Sequence, residues 1–245
     1  MTALVRRAFA EAVGTGLLVT SVIGSGIMAQ RLSPGDVGLQ LLENSTATAF
    51  ALTALILVMG PVSGAHFNPV VSLADWLLSR RTGGGLSGRA LLAYVPAQVA
   101  GALGGAVLAH LMFELPAVTV STHQRTGSGL WLGEVVATAG LIALIFALTR
   151  TGRAALAPPA VGAYIGAAYW FTSSTSFANP AVTLGRTLTD SFAGIAPASA
   201  PGFVAAQLAG AAVGLALVGL LYPRPLPASV PDHLAAADPA APART

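Results

Sequence analysis

The chain is 245 residues long, 54% hydrophobic and only 9% charged, with a net charge of +3 at pH 7. Ordinary soluble domains carry roughly 25% charged residues, so this chain has too little charge to cover the surface of a water-soluble globule. Cysteine is absent, which removes disulfide frameworks, thiolate metal sites and cysteine nucleophiles.

The elements follow in chain order. Arg6 and Arg7 precede an apolar run over residues 8–29, longer than the about 7–15 residues of a cleavable signal's hydrophobic region, which predicts a retained span. Further apolar runs cover residues 44–62, 90–112, 130–149, 157–173 and 202–222. Each is close to the ~20 residues a helix needs to cross ~30 Å of hydrocarbon. Shorter pieces of roughly ten residues begin after Asn68 and Asn179; pieces of that length read as re-entrant half-helices. The expected fold is an all-α membrane protein, six transmembrane helices plus two half-helices, forming a single domain over residues 1–222. Residues 223–245 are rich in Pro and Ala without apolar periodicity, which predicts a disordered tail.

All twelve basic residues are arginine. They gather at the ends of apolar runs and form no patch of the kind that binds nucleic acid. With both termini cytoplasmic, Arg6, Arg7, Arg80, Arg81, Arg89, Arg150, Arg153, Arg224 and Arg244 lie inside, and only Arg31, Arg125 and Arg186 outside. That asymmetry predicts a multi-pass inner-membrane protein in this orientation.

An internal duplication organises the chain. Glu11 and Thr15 in the first span match Glu134 and Thr138 in the fourth. His66-Phe67-Asn68-Pro69-Val70 matches Phe177-Ala178-Asn179-Pro180-Ala181, and Gln98, Gly101 and Gly105 match Gln207, Gly210 and Gly214. The repeats run over about residues 5–112 and 130–222. Three spans per repeat force the two halves into opposite orientations, and inverted repeats place a functional site near the midplane at their interface.

An Asn-Pro step is well suited to opening a helix. Asn accepts a first-turn N–H through its side-chain oxygen, and Pro fits the first helical position. Each Asn amide then keeps two N–H donors to present elsewhere. Inverted half-helices meet tip to tip at mid-membrane and point both positive dipole ends at one place. Neutral solutes would hydrogen-bond there, while cations would be repelled.

The stretches Ser63-Gly64-Ala65-His66-Phe67-Asn68-Pro69-Val70-Val71-Ser72 and Phe177-Ala178-Asn179-Pro180-Ala181-Val182-Thr183 resemble the two signature loops of the major intrinsic protein (aquaporin and aquaglyceroporin) family. Glu11, Glu134, Gln98 and Gln207 also match the family pattern, so the resemblance covers about residues 5–222. It implies six tilted helices plus two half-helices, a homotetramer with one pore per subunit, and a central constriction at Asn68, Pro69, Val70, Asn179, Pro180 and Ala181. Val70 stands where Ala is usual, and adds two methyl groups beside that constriction.

The family's narrower outer filter would fall on Thr48, Ala167, Ser176 and Val182, counted from the signature asparagines. Those positions usually carry Arg and aromatic residues; here they carry neither. The expectation is a wider opening with no fixed positive charge, suited to uncharged hydroxylated solutes. Arsenous acid comes first, with glycerol or water second, since the missing Arg resembles a bacterial subgroup associated with arsenic resistance. Backbone carbonyls of Gly64–Phe67 and Ser174–Ala178 would supply acceptors. Arg186, one turn beyond Val182, either pairs with Asp190 at i,i+4 or lends positive charge to the outer vestibule.

Glu11 and Glu134 are carboxylates inside apolar spans, where ionisable groups are functional candidates. They brace the signature loops, as the resemblance implies, or serve a proton-coupled transporter. His66 is expected to brace the first loop, with no second His or Cys at metal-ligand spacing; His110 and His123 stand outside any cluster. The glycine pairs predict small-xxx-small helix packing. Neither a nucleophile–base–orienter set nor a phosphate loop is present, so no enzyme, cofactor or metal is expected. The partners expected are small neutral solutes and lipid; a non-conducting scaffold of the same fold is the third reading.

Overall fold

The structure, a computed structural model, describes residues 2–82 and 84–222; the tail expected at 223–245 lies outside them. Eight α-helices are present: α1 (Ala3–Leu32), α2 (Val37–Ser63), α3 (Pro69–Thr82), α4 (Gly88–Met112), α5 (Ser128–Arg150), α6 (Ala157–Phe171), α7 (Pro180–Gly185) and α8 (Ala200–Leu221). No strand occurs among the described residues. The architecture is all-α, with α3 and α7 as the two short helices.

Helix starts follow local chemistry. Thr2, Asp36 and Ser87 each cap a helix by accepting the backbone N–H of Val5, Leu39 and Ala90. Gly64, at φ 91°, ends α2 in the left-handed region that glycine enters without penalty. Five helical segments are long and apolar enough to cross a bilayer. The remaining span, α6, has 15 residues and is therefore only ~22 Å long at 1.5 Å per residue. It ends at Phe171, short of the expected 173, and the 3-10 turn Ala154–Leu156 before it adds to its length.

Packing repeats along with the sequence. Between membrane helices the hydrophobic effect is weak, so close backbone approach at small residues decides which helices pair. On the α1–α4 seam, a methyl group at Gly101 or Gly105 would overlap the carbonyl oxygens of Ala12 and Gly16. On the α5–α8 seam, Gly210 and Gly214 stand against the carbonyl oxygens of Val135 and Ala139 in the same way. The third contact, α2 on α6, sets Gly162 and Gly166 against Ala49. Phe50, Val58, Leu92 and Leu220 point outward, exposed and apolar, as a lipid-facing surface requires.

These seams predict that Gly101→Ala or Gly210→Ala costs about 1–3 kcal/mol by overpacking and lowers the thermal unfolding temperature in detergent. Gly104→Ala, in open space, leaves that temperature unchanged. Equal behaviour of all three variants would contradict this account of the helix seams.

Candidate pore

Two matched carboxylates hold the loops that enter the membrane. Glu11 on α1 is fully buried. Its Oε1 accepts from Ser63 Oγ (2.6 Å) and the His66 backbone N–H (3.0 Å). Its Oε2 accepts from the Phe67 N–H (2.7 Å) and Gln98 Nε2 (2.8 Å). Glu134 on α5 repeats the pattern: Ser174 Oγ (2.7 Å) and the Phe177 N–H (2.8 Å) on Oε1, the Ala178 N–H (2.8 Å) and Gln207 Nε2 (2.6 Å) on Oε2. Each glutamine also reaches the half-helix beyond its loop, at Ser72 Oγ and Thr183 Oγ1, both 3.0 Å away.

These loops need holding. Ala65, Phe67, Thr175, Ser176 and Ala178 all adopt left-handed φ between 47° and 60°, each at a cost of about 1–2 kcal/mol for a residue with a Cβ. Hydrogen bonds to a buried carboxylate contribute roughly 1.5–3 kcal/mol apiece, enough to offset that strain. Ser63 with Ser174 and Ser72 with Thr183 complete the cradles. Their signal was present in the repeat, since each pair sits at one offset from its signature Asn.

The two loop tips are stitched to each other. Asn68 Oδ1 accepts the Val70 N–H, and Asn179 Oδ1 accepts those of Ala181 and Val182. Asn68 Nδ2 donates to Ala178 O (2.7 Å) and Asn179 Nδ2 donates to Phe67 O (2.8 Å). One amide N–H of each Asn is thus spent on the opposite half, leaving one for the lumen rather than the two expected. The carbonyls of Phe67 and Ala178 each give one lone pair to this cross-link.

A cavity of about 570 Å³ is lined by both asparagines. Leu57, Pro61, Thr149 and Pro158 line one end; Thr48, Tyr169, Ser176, Val182 and Arg186 line the other. Pro69, Val70, Pro180 and Ala181 are not on its wall. Val70 is buried in the core, so its extra methyl groups fill packing space and leave the central constriction unchanged. His66 lies on the wall, with Nδ1 3.0 Å from Ser72 Oγ and Nε2 3.6 Å from the Asp75 carboxylate. No group of three or more His, Cys, Asp or Glu side chains suited to a metal occurs among the described residues.

Residues 1–178 match the major intrinsic protein family. The chain is 54% identical to aquaglyceroporin AqpS of Rhizobium meliloti over 225 residues, 91% of this chain and 94% of that protein. It is 32% identical to a glycerol uptake facilitator protein of Pseudomonas aeruginosa, with 90% of each chain covered. The X-ray structure of the aquaglyceroporin from Plasmodium falciparum shares the fold at a TM-score of 0.67 and 22% identity, covering 88% of this chain and 95% of that one.

This chain belongs to the major intrinsic protein family. It is a membrane protein of a channel family, and the Arg186 end of its cavity departs from the filter expected by counting residues. Ala167 is exposed on the outer face of α6 and does not reach the cavity. Two positions on, roughly 200° around the helix, buried Tyr169 lines it instead, with its hydroxyl 3.2 Å from Thr48 Oγ1. An aromatic residue is therefore present.

A fixed charge is present as well. Arg186 is buried on the cavity wall, its Cζ 3.4 Å from the centre of the Phe177 ring, and its Nε donates to Ala193 O. The i,i+4 pair with Asp190 does not form. Asp190 accepts from the Thr122 N–H (2.7 Å) and Oγ1 (3.0 Å) and stands 3.6 Å from His123. The Thr122 backbone N–H is the main cause holding this carboxyl below its ordinary range. His110 is engaged too, with Nδ1 2.7 Å from Pro116 O and Nε2 2.8 Å from Thr189 Oγ1.

The cradles predict the effect of neutralising them. Glu134→Gln turns a two-oxygen acceptor of four hydrogen bonds into a group whose NH₂ faces donors. The expected loss is on the order of 3 kcal/mol or more, read as a lower unfolding temperature in detergent. Glu11→Gln behaves alike, and a variant of wild-type stability would contradict the cradle's role.

Proposed function

We propose that the protein is a passive channel for small uncharged hydroxylated solutes, arsenous acid first and glycerol and water after it. The observation that carries this reading is the donor set facing the lumen. Each signature Asn lines the cavity and keeps one amide N–H beyond the one given to the opposite loop. On the same wall Val182 offers an apolar surface where the family pattern would place a guanidinium. A solute with three hydroxyls and no charge suits both surfaces. Two relatives named as an aquaglyceroporin and a glycerol uptake facilitator support the solute class.

In this reading Asn68 and Asn179 donate to permeating hydroxyls at the centre, while Thr48, Tyr169, Ser176 and Val182 set the aperture beyond. Glu11, Glu134 and His66 brace the loops. Residues 1–222 form one channel domain, assembled as a homotetramer in the inner membrane. Both termini are cytoplasmic, which puts the Arg186 end of the pore outside.

Proteoliposome flux of water, glycerol and arsenite tests it. Wild-type vesicles should pass all three, and Val182→Arg should cut arsenite and glycerol flux roughly tenfold while sparing water, because a long cation then fills the apolar level. Arsenite flux unchanged in Val182→Arg would remove position 182 from the filter. A separate check concerns energy coupling. All four acceptor positions of Glu11 and of Glu134 are occupied by structural donors, which leaves none for a transported proton. Uptake should therefore follow the solute gradient, stay linear with concentration and ignore an uncoupler; uptake that collapses with the uncoupler supports a proton-coupled transporter instead.

A further inference from the structure

We propose that Arg186 is the cation of the outer filter, standing one helical turn beyond Val182, and that Phe177 is the platform that positions it. The inference rests on the channel reading above and names what that channel rejects: small cations of the same size as its solutes.

A guanidinium is costly to bury without a carboxylate partner. Arg186 is 2% exposed, yet the acids around it are committed elsewhere. Asp190 is bonded to Thr122 and faces His123. Glu134 is filled by the loop N–H groups, Ser174 and Gln207. The one side-chain hydrogen bond of Arg186 among the described residues runs from Nε to Ala193 O. An anchor for that carbonyl alone would not require a charged fork with further donors.

The surroundings explain how such a charge is held. The flat guanidinium lies on the face of Phe177, a cation–π contact that is strongest when desolvated. Phe177 is itself wedged edge-to-face against Phe203, 5.0 Å away. Stacking uses one face of the guanidinium, and Arg186 lies on the cavity wall. Arg125 adds a second charge 5.3 Å from the same ring, fastened by Nε to Gly194 O (2.8 Å) and by a terminal nitrogen to Phe192 O (3.2 Å). Two fixed positive charges, neither in an ion pair among the described residues, raise a barrier to any cation entering at this end. The Tyr169 and Thr48 hydroxyls on the same cavity wall, 3.2 Å apart, offer hydrogen-bonding groups to a neutral solute carrying oxygens.

Paired fluxes of glycerol and methylammonium in the same proteoliposomes decide this. Wild type should pass glycerol and exclude methylammonium. Arg186→Gln, which keeps an N–H donor and loses the charge, should raise methylammonium flux on the order of tenfold with glycerol flux retained. Arg186→Lys should keep the exclusion, and Phe177→Leu, which frees the guanidinium, should leak to an intermediate degree. Should Arg186→Gln fail to give monodisperse protein, Arg186→Met replaces it. Cation exclusion at the wild-type level in a folded Gln or Met variant overturns the proposal, as does equal leakage of the Lys and Gln variants. Absence of glycerol flux in wild type overturns the channel reading and this inference together, whereas normal glycerol flux with unchanged exclusion overturns this inference alone.

Discussion

Everything at the centre of this protein depends on two buried carboxylates accepting backbone N–H groups. A signature loop must descend to mid-membrane in an extended, partly left-handed course, with its N–H groups unpaired by any helix. In hydrocarbon each such group would cost several kcal/mol, and each left-handed residue adds strain. Glu11 and Glu134 meet both demands by taking two backbone N–H groups, one serine hydroxyl and one glutamine amide apiece. Gln98 and Gln207 then carry the restraint to the half-helices through Ser72 and Thr183. A charge deep in the membrane is tolerated here because every acceptor position is filled.

The second constraint follows from the first. Once both loops are held, the Asn68 amide meets Ala178 O and the Asn179 amide meets Phe67 O, so that each half of the duplication completes the other. This exchange fixes the two half-helix tips against each other and leaves one donor per Asn toward the cavity. The centre is thereby rigid, symmetric and modestly polar. Differences between the two loops lie further out: His66 with Asp75 on one side, Tyr169, Ser176, Val182 and Arg186 on the other.

Some of this was legible by counting. The repeat located both glutamates, both glutamines, both asparagines and the glycine seams, because a duplicated chain shows each structural requirement twice. The same comparison would have found Ser63 with Ser174 and Ser72 with Thr183, had hydroxyls been matched along with the larger landmarks. Ala167 marks where counting fails. An offset of two residues along α6 turns a side chain to the opposite face of the helix, and the loop between α6 and Asn179 sets that offset with no sequence landmark of its own. Val70 fails for a different reason: a residue beside the signature Asn need not face the lumen, since the helix it opens turns it into the core.

Arg186 shows the remaining limit. Sequence distance made Asp190 its natural partner, but the segment between them leaves the helix after Arg186 and carries Asp190 to Thr122 and His123. The amino-acid sequence by itself determined the solvent, the six spans with two half-helices, the inverted duplication and the two asparagines at its centre. These follow from composition, periodicity and repetition, which are properties of neighbours along the chain. Only the tertiary structure decided which side chains meet at the Arg186 end of the cavity: Tyr169 in place of Ala167, and Arg186 on Phe177 in place of a pair with Asp190. That end is built from α2, α6, α7 and two surface loops, and the approach of segments distant in sequence is settled by packing.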